Sequence, residues 1–137
     1  MLFRNTKIGF CFLLIISTFL CISSCSKPGT GGDCTLVVFP QHNGKAVMNH
    51  PGWPDTVFVK YNATSSPGTK PGNYDTYFVG EAGEDHVHCT GLKWGQYYLY
   101  TVGMDSTEVT RVKGGLAFKV LYSERKEEIP VTIPTSN

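Results

Sequence analysis

A chain of 137 residues with 12 Lys and Arg against 11 Asp and Glu has a formal net charge of +1, with no excess of either sign. It holds no basic run and no Arg/Lys stripe interleaved with aromatics, which excludes nucleic acid as an expected partner. With 15 Gly, 8 Pro and 12% aromatic residues, the composition favours short strands and tight turns over long helices.

The first seven residues carry Arg4 and Lys7 and no acid, and residues 8–22 are apolar apart from Ser17 and Thr18. This is the charged and apolar pattern of an export signal, too short and wrongly flanked for a membrane span. It ends in Ile22-Ser23-Ser24-Cys25, where small residues run straight into a cysteine. The stretch resembles the bacterial lipoprotein signal. That resemblance implies removal of residues 1–24 and acylation of Cys25, with two or three chains giving durable anchoring at about 0.8 kcal/mol per buried methylene. In such lipoproteins an Asp after the cysteine favours the inner membrane, so Ser26 points to the outer one. Ser26 to Asp33, rich in Gly and Pro, reads as a lipidated flexible tether over 25–33.

The expected mature chain, Cys25 to Asn137, has 113 residues and 10 basic against 11 acidic side chains, enough for one compact domain over 34–137. Cys34–Phe39 alternates as a first strand, and Asn43-Gly44 marks a tight hairpin back through Ala46–Met48. The loop His50-Pro51-Gly52-Trp53-Pro54-Asp55 is stiffened by its prolines. Further strands are expected over Thr56–Tyr61, Tyr74–Val79, His86–Cys89, Tyr97–Val102, Leu116–Tyr122 and Glu128–Ile133, with a long polar loop from Asn62 to Gly72. Pro130 restricts the last strand to an edge or a bulge. Nothing past Asp33 keeps a helical period for three turns, so the expected class is all-β, a sandwich of seven or eight strands.

Cys34 and Cys89 lie on the apolar faces of their strands, an even pair once Cys11 and Cys21 leave with the signal and Cys25 takes lipid. In an oxidising compartment a disulfide between them is expected, worth about 4 kcal/mol in the chain-entropy model. The alternative is two buried free thiols.

Val87-x-Cys89-x-x-Leu92-x-x-Gly95-x-Tyr97-x-Leu99 resembles the strand–turn–strand element of the transthyretin-like, carboxypeptidase-regulatory-like β-sandwiches. Leu92 would plug the core's end, Gly95 take a backbone conformation that a Cβ opposes, and Tyr97 enter the core with its hydroxyl near the corner. Gly44-Lys45-Ala46-Val47 and Val112-x-Gly114-Gly115 resemble flanking parts of the same family, over most of residues 34–133. The resemblance implies an Ig-like antiparallel sandwich and leaves function open. The Lys–Asn crosslink of collagen-binding relatives is not expected, because the first strand has no Lys and the last no Asn. Nor is ureide hydrolysis, whose enzymes end in Tyr-Arg-Gly-Ser where this chain has Pro-Thr-Ser-Asn.

His86-Val87-His88 places two imidazoles on one strand face, as metal-binding His-x-His pairs require. Glu84, Asp85 or His50 are candidate further ligands that sequence alone cannot bring near. Without them the pair reads as two solvated histidines. Trp53 and Trp94 lie in loops, with Tyr74, Tyr77, Tyr98 and Tyr100 on nearby strands, and could stack on a glycan or simply cap the core. No catalytic set or cofactor motif stands out, since the Ser residues lack a Gly-x-Ser-x-Gly elbow. The expectation is a non-catalytic lipoprotein of the cell envelope, held by its lipid, whose sandwich binds a protein partner or props up an assembly, with glycan binding through Trp53 and Trp94 or metal binding through His86 and His88 as alternatives.

Overall fold

The computed structural model describes residues 27–137, so the expected export signal over 1–24 and the expected lipidation site Cys25 lie outside the described residues. Eight strands form two four-stranded sheets. In the first, β1 (Thr30–His42) is central. It pairs antiparallel with β5 (Val87–Leu92) and β2 (Lys45–Ala46) on one side and parallel with β8 (Glu128–Thr135) on the other. The second runs β4 (Thr76–Val79), β3 (Thr56–Tyr61), β6 (Gly95–Asp105), β7 (Thr110–Val120), all antiparallel. The all-β class and the two layers agree with the alternation in the sequence; the β1–β8 pair is the one parallel contact between the strands described. Among the described residues no helix is long and apolar enough to cross a membrane.

Period-two burial makes the core. Leu36, Val38, Val57, Val59, Val87 and Leu99 are fully enclosed between the sheets. Each such side chain contributes about 1.5–3 kcal/mol relative to exposure. Asn43 and Gly44 both adopt left-handed backbone (φ 50° and 75°), the conformation that the β1–β2 hairpin turn demands and that Asn and Gly tolerate. Pro130 and Pro134 sit on β8, whose ladder partner is β1, so each missing N–H falls on the outer side of an edge strand.

β1 starts four residues before its alternation does. The segment expected as tether is tied down from Gly29, whose N–H donates to the Tyr97 hydroxyl (3.0 Å) and whose carbonyl accepts from the Lys93 N–H (2.8 Å). Gly95 has φ +142°, and a Cβ there would lie 2.5 Å from Pro28, so this corner closes only on glycine. Composition alone hides the ordering, because small residues that make good tethers also allow close backbone approach.

The expected Cys34–Cys89 disulfide is not formed. Both residues are fully buried free thiols in the core. The β1–β5 register sets Leu36 opposite Cys89 and Leu92 opposite Cys34, so the sulfurs belong to diagonal positions and not to a facing pair. Burial pushes both thiols above the ordinary cysteine range, assisted at Cys34 by the Glu124 and Glu127 carboxylates, which disfavours the reactive thiolate.

Candidate functional site

The turn leading into β5 gathers the polar side chains that the sequence could not place. Alternation sends Val87 and Cys89 into the core and leaves His86 and His88 on the outer face of the first sheet. Their Nε2 atoms are 3.0 Å apart, with ring centroids at 4.7 Å and an edge-to-face arrangement. Glu84 Oε2 lies 3.6 Å from His86 Nε2, and Asp85 Oδ1 lies 2.8 Å from His86 Nδ1. Phe39 on β1 packs against the His86 ring at 5.2 Å. Of the three residues considered as extra ligands, Glu84 and Asp85 join the histidines. His50 does not; it forms a bridge with Trp53 in its own loop.

Asn49 holds this turn. It is 2% exposed, and its Nδ2 donates to the carbonyls of both Glu84 and His86 at 3.0 Å, while its N–H donates to Glu84 O at 2.8 Å. Its Oδ1 accepts the Asp55 N–H at 2.7 Å. Sequence reasoning missed this residue, since a loop asparagine carries no local sign of burial. Gly80 makes room for it, because a Cβ there would come within 2.1 Å of Asn49 Oδ1. Gly80→Ala is therefore expected to displace the amide and cost about 2–3 kcal/mol, read as a lower urea midpoint at unchanged slope. An unmoved midpoint would mean that Asn49 is not a clamp.

The two tryptophans are separated. Trp94 precedes β6 and is partly buried, packing on the core and meeting Tyr122 edge-to-face at 5.6 Å. Trp53 stands at the other end of β6, 53% exposed, over a groove of about 440 Å³. Thr56, Val102 and Lys113 align across β3, β6 and β7 to form its floor, with Met104 and Arg111 as the next pair. The Arg111 guanidinium sits 4.6 Å above the Trp53 ring, a cation–π contact that stiffens the wall. Among the described residues neither Arg111 nor Lys113 forms an ion pair, so the groove is apolar and lined by two cations that no carboxylate neutralises. Tyr74 and Tyr100 stack at 5.6 Å further along the same sheet, with Phe58 between them and Tyr77.

A second polar cluster joins His42 to the β6–β7 hairpin. Asp105 Oδ2 meets His42 Nδ1 at 2.9 Å, and Asp105 Oδ1 accepts the N–H groups of Thr107 and Glu108. The His42 hydrogen bond, followed by those backbone donors, holds the Asp105 carboxyl below the usual carboxylate range. Its contribution to stability is therefore present at neutral pH and fades as pH falls through the acid range.

No family model matches this chain, and no characterised protein or solved structure matches it significantly.

Proposed function

We propose that this chain is a non-catalytic lipoprotein of the cell envelope, with an acyl anchor on Cys25, residues 1–24 removed, and a transthyretin-like sandwich that docks a protein partner at the Trp53 groove. The observation that carries the reading is that groove, the concave apolar surface with unpaired Arg111 and Lys113 beside an exposed Trp. Exposed Trp and Arg in a preformed slot are what binding hot spots are made of, and the two cations select a partner segment that is both apolar and acidic. The outer membrane follows from Ser26 after the lipidation site, as in the resembling signals.

The test is crosslinking in intact cells through a photoreactive residue placed at Met104, which lines the groove. A discrete envelope protein should be captured, and Trp53→Ala or Arg111→Glu should lower its yield by roughly tenfold, the effect of losing one hot-spot residue. Equal yield in both variants would refute the groove as the docking site. A glycan ligand is the second reading, favoured by the exposure of Trp53. It requires that an oligosaccharide change the fluorescence of wild-type protein while Trp53→Phe stays silent; a flat titration across neutral and acidic sugars removes it.

A further inference from the structure

We propose that Glu84, His86 and His88 form a binding site for a divalent transition metal, with Zn²⁺ the best fit, and that Asp85 positions His86 within it. This does not rest on the groove reading. A carboxylate only accepts hydrogen bonds, so the 2.8 Å contact with Asp85 Oδ1 requires His86 Nδ1 to carry a proton. In the neutral ring that leaves a lone pair on His86 Nε2, pointing at His88 Nε2 3.0 Å away and at Glu84 Oε2 3.6 Å away. His88 can donate its one Nε2 proton to that lone pair. Glu84 Oε2 then gains nothing: it is shut off from solvent and has no hydrogen-bond partner. Two lone-pair donors face a third atom across a small triangle, and a cation at its centre satisfies all three. A proton, as imidazolium, reaches one or two of them; a metal ion reaches all.

The dimensions fit. Tetrahedral Zn²⁺ with bonds of about 2.0–2.1 Å spaces its donors about 3.3 Å apart. The three donor atoms here lie within 4.8 Å of one another, with two of the separations at 3.0 and 3.6 Å, on either side of that spacing. Two imidazoles and one carboxylate suit Zn²⁺, Co²⁺, Ni²⁺ or Cu²⁺, whereas Ca²⁺ and Mg²⁺ demand oxygen. Metal-ligating histidines commonly donate their other N–H to a carboxylate, the part Asp85 plays. The framework is held before any ion arrives: Val87 is locked in the core, and Asn49 fixes the carbonyls of Glu84 and His86. The His42–Asp105–Glu108 cluster also has metal-ligand residues, but its Asp105 oxygens are already occupied by His42 and by two backbone N–H groups. It serves as the internal control.

The experiment is calorimetric titration of the untagged, chelator-stripped mature protein with ZnCl₂, with Co²⁺ absorption as a second readout. One equivalent of Zn²⁺ should bind, and Co²⁺ should give the intense visible bands of a tetrahedral site. His88→Ala should weaken Zn²⁺ at least 100-fold, and Asp85→Asn by roughly 10–100-fold. Asp105→Asn should leave it unchanged. His88 is on the outer face, so its loss leaves the core intact, and an unchanged circular-dichroism spectrum verifies this. Absence of stoichiometric binding would overturn the proposal. So would one equivalent that survives His88→Ala, or one that is lost in Asp105→Asn.

Discussion

Tyr97→Phe is expected to destabilise the fold by about 2 kcal/mol and Tyr97→Ala by about 4–5 kcal/mol. The ring is fully buried and meets Tyr61 edge-to-face at 6.0 Å. Its hydroxyl accepts the Gly29 N–H at 3.0 Å and donates to the Lys93 carbonyl at 2.6 Å. One oxygen thus ties the start of β1 to the turn between β5 and β6. Phe keeps the apolar ring and strands a buried backbone donor, so the difference between the two variants separates hydrogen bonding from packing. Urea denaturation gives both values, and limited proteolysis should show earlier cleavage around residues 27–33 in Tyr97→Phe. A Phe variant within 0.5 kcal/mol of wild type would deny the hydroxyl this role.

Asp55 should make the protein less stable in mild alkali than in mild acid. The residue is fully enclosed, and burial raises its pKa to about 7 from an ordinary 3.8, with only the Met104 backbone N–H pulling the other way. The unfolded chain gives up this proton near pH 4 while the folded one keeps it until about pH 7. Between those values the native state binds the extra proton, so stability is full below pH 4 and falls as pH rises to 7. The span corresponds to roughly 2–4 kcal/mol once solvent screening is allowed for. Asp55→Asn removes the ionisation. Relative to wild type, its melting temperature should rise steadily from pH 4, where both carry a neutral side chain, to pH 8. Parallel profiles for the two proteins would place the titration elsewhere.

Both residues show how far the chain could be read from its letters. Period-two patterns located β3 to the residue, because burial on one sheet face leaves a direct trace in side-chain type, and the burial of Tyr97 agrees with what the family resemblance implied. Asn43-Gly44 was equally legible, since few dipeptides accept two left-handed residues. β7 was cut short at its start, because Gly114-Gly115 looks like punctuation. In the fold Gly114 instead admits the Pro134 carbonyl, which a Cβ would meet at 2.1 Å. Asn49 and Asp55 left no trace at all: their burial is set by Gly80, Gly103 and a turn some thirty residues away, which no local pattern encodes. The facing of His86 and His88 was visible in their spacing. The arrival of Glu84 was not, because it depends on how Asn49 folds the preceding turn. The disulfide was misjudged for a related reason. Sequence shows that two cysteines face inward, and only register shows that they are diagonal.

The early pinning of Gly29 also sets an altitude. If Cys25 carries the proposed acyl chains, the four residues from Cys25 to Pro28 can set the bilayer no more than about 14 Å from the first fixed point. The pole of the sandwich beside that point carries Leu121 and Tyr122, 48% and 60% exposed, with Arg125 over the Tyr122 ring at 4.0 Å. An aromatic and a cation at that height suit the headgroup layer. Trp53 and the Glu84–His88 turn lie toward the opposite pole, so the molecule would stand upright, with its working end presented to the aqueous compartment.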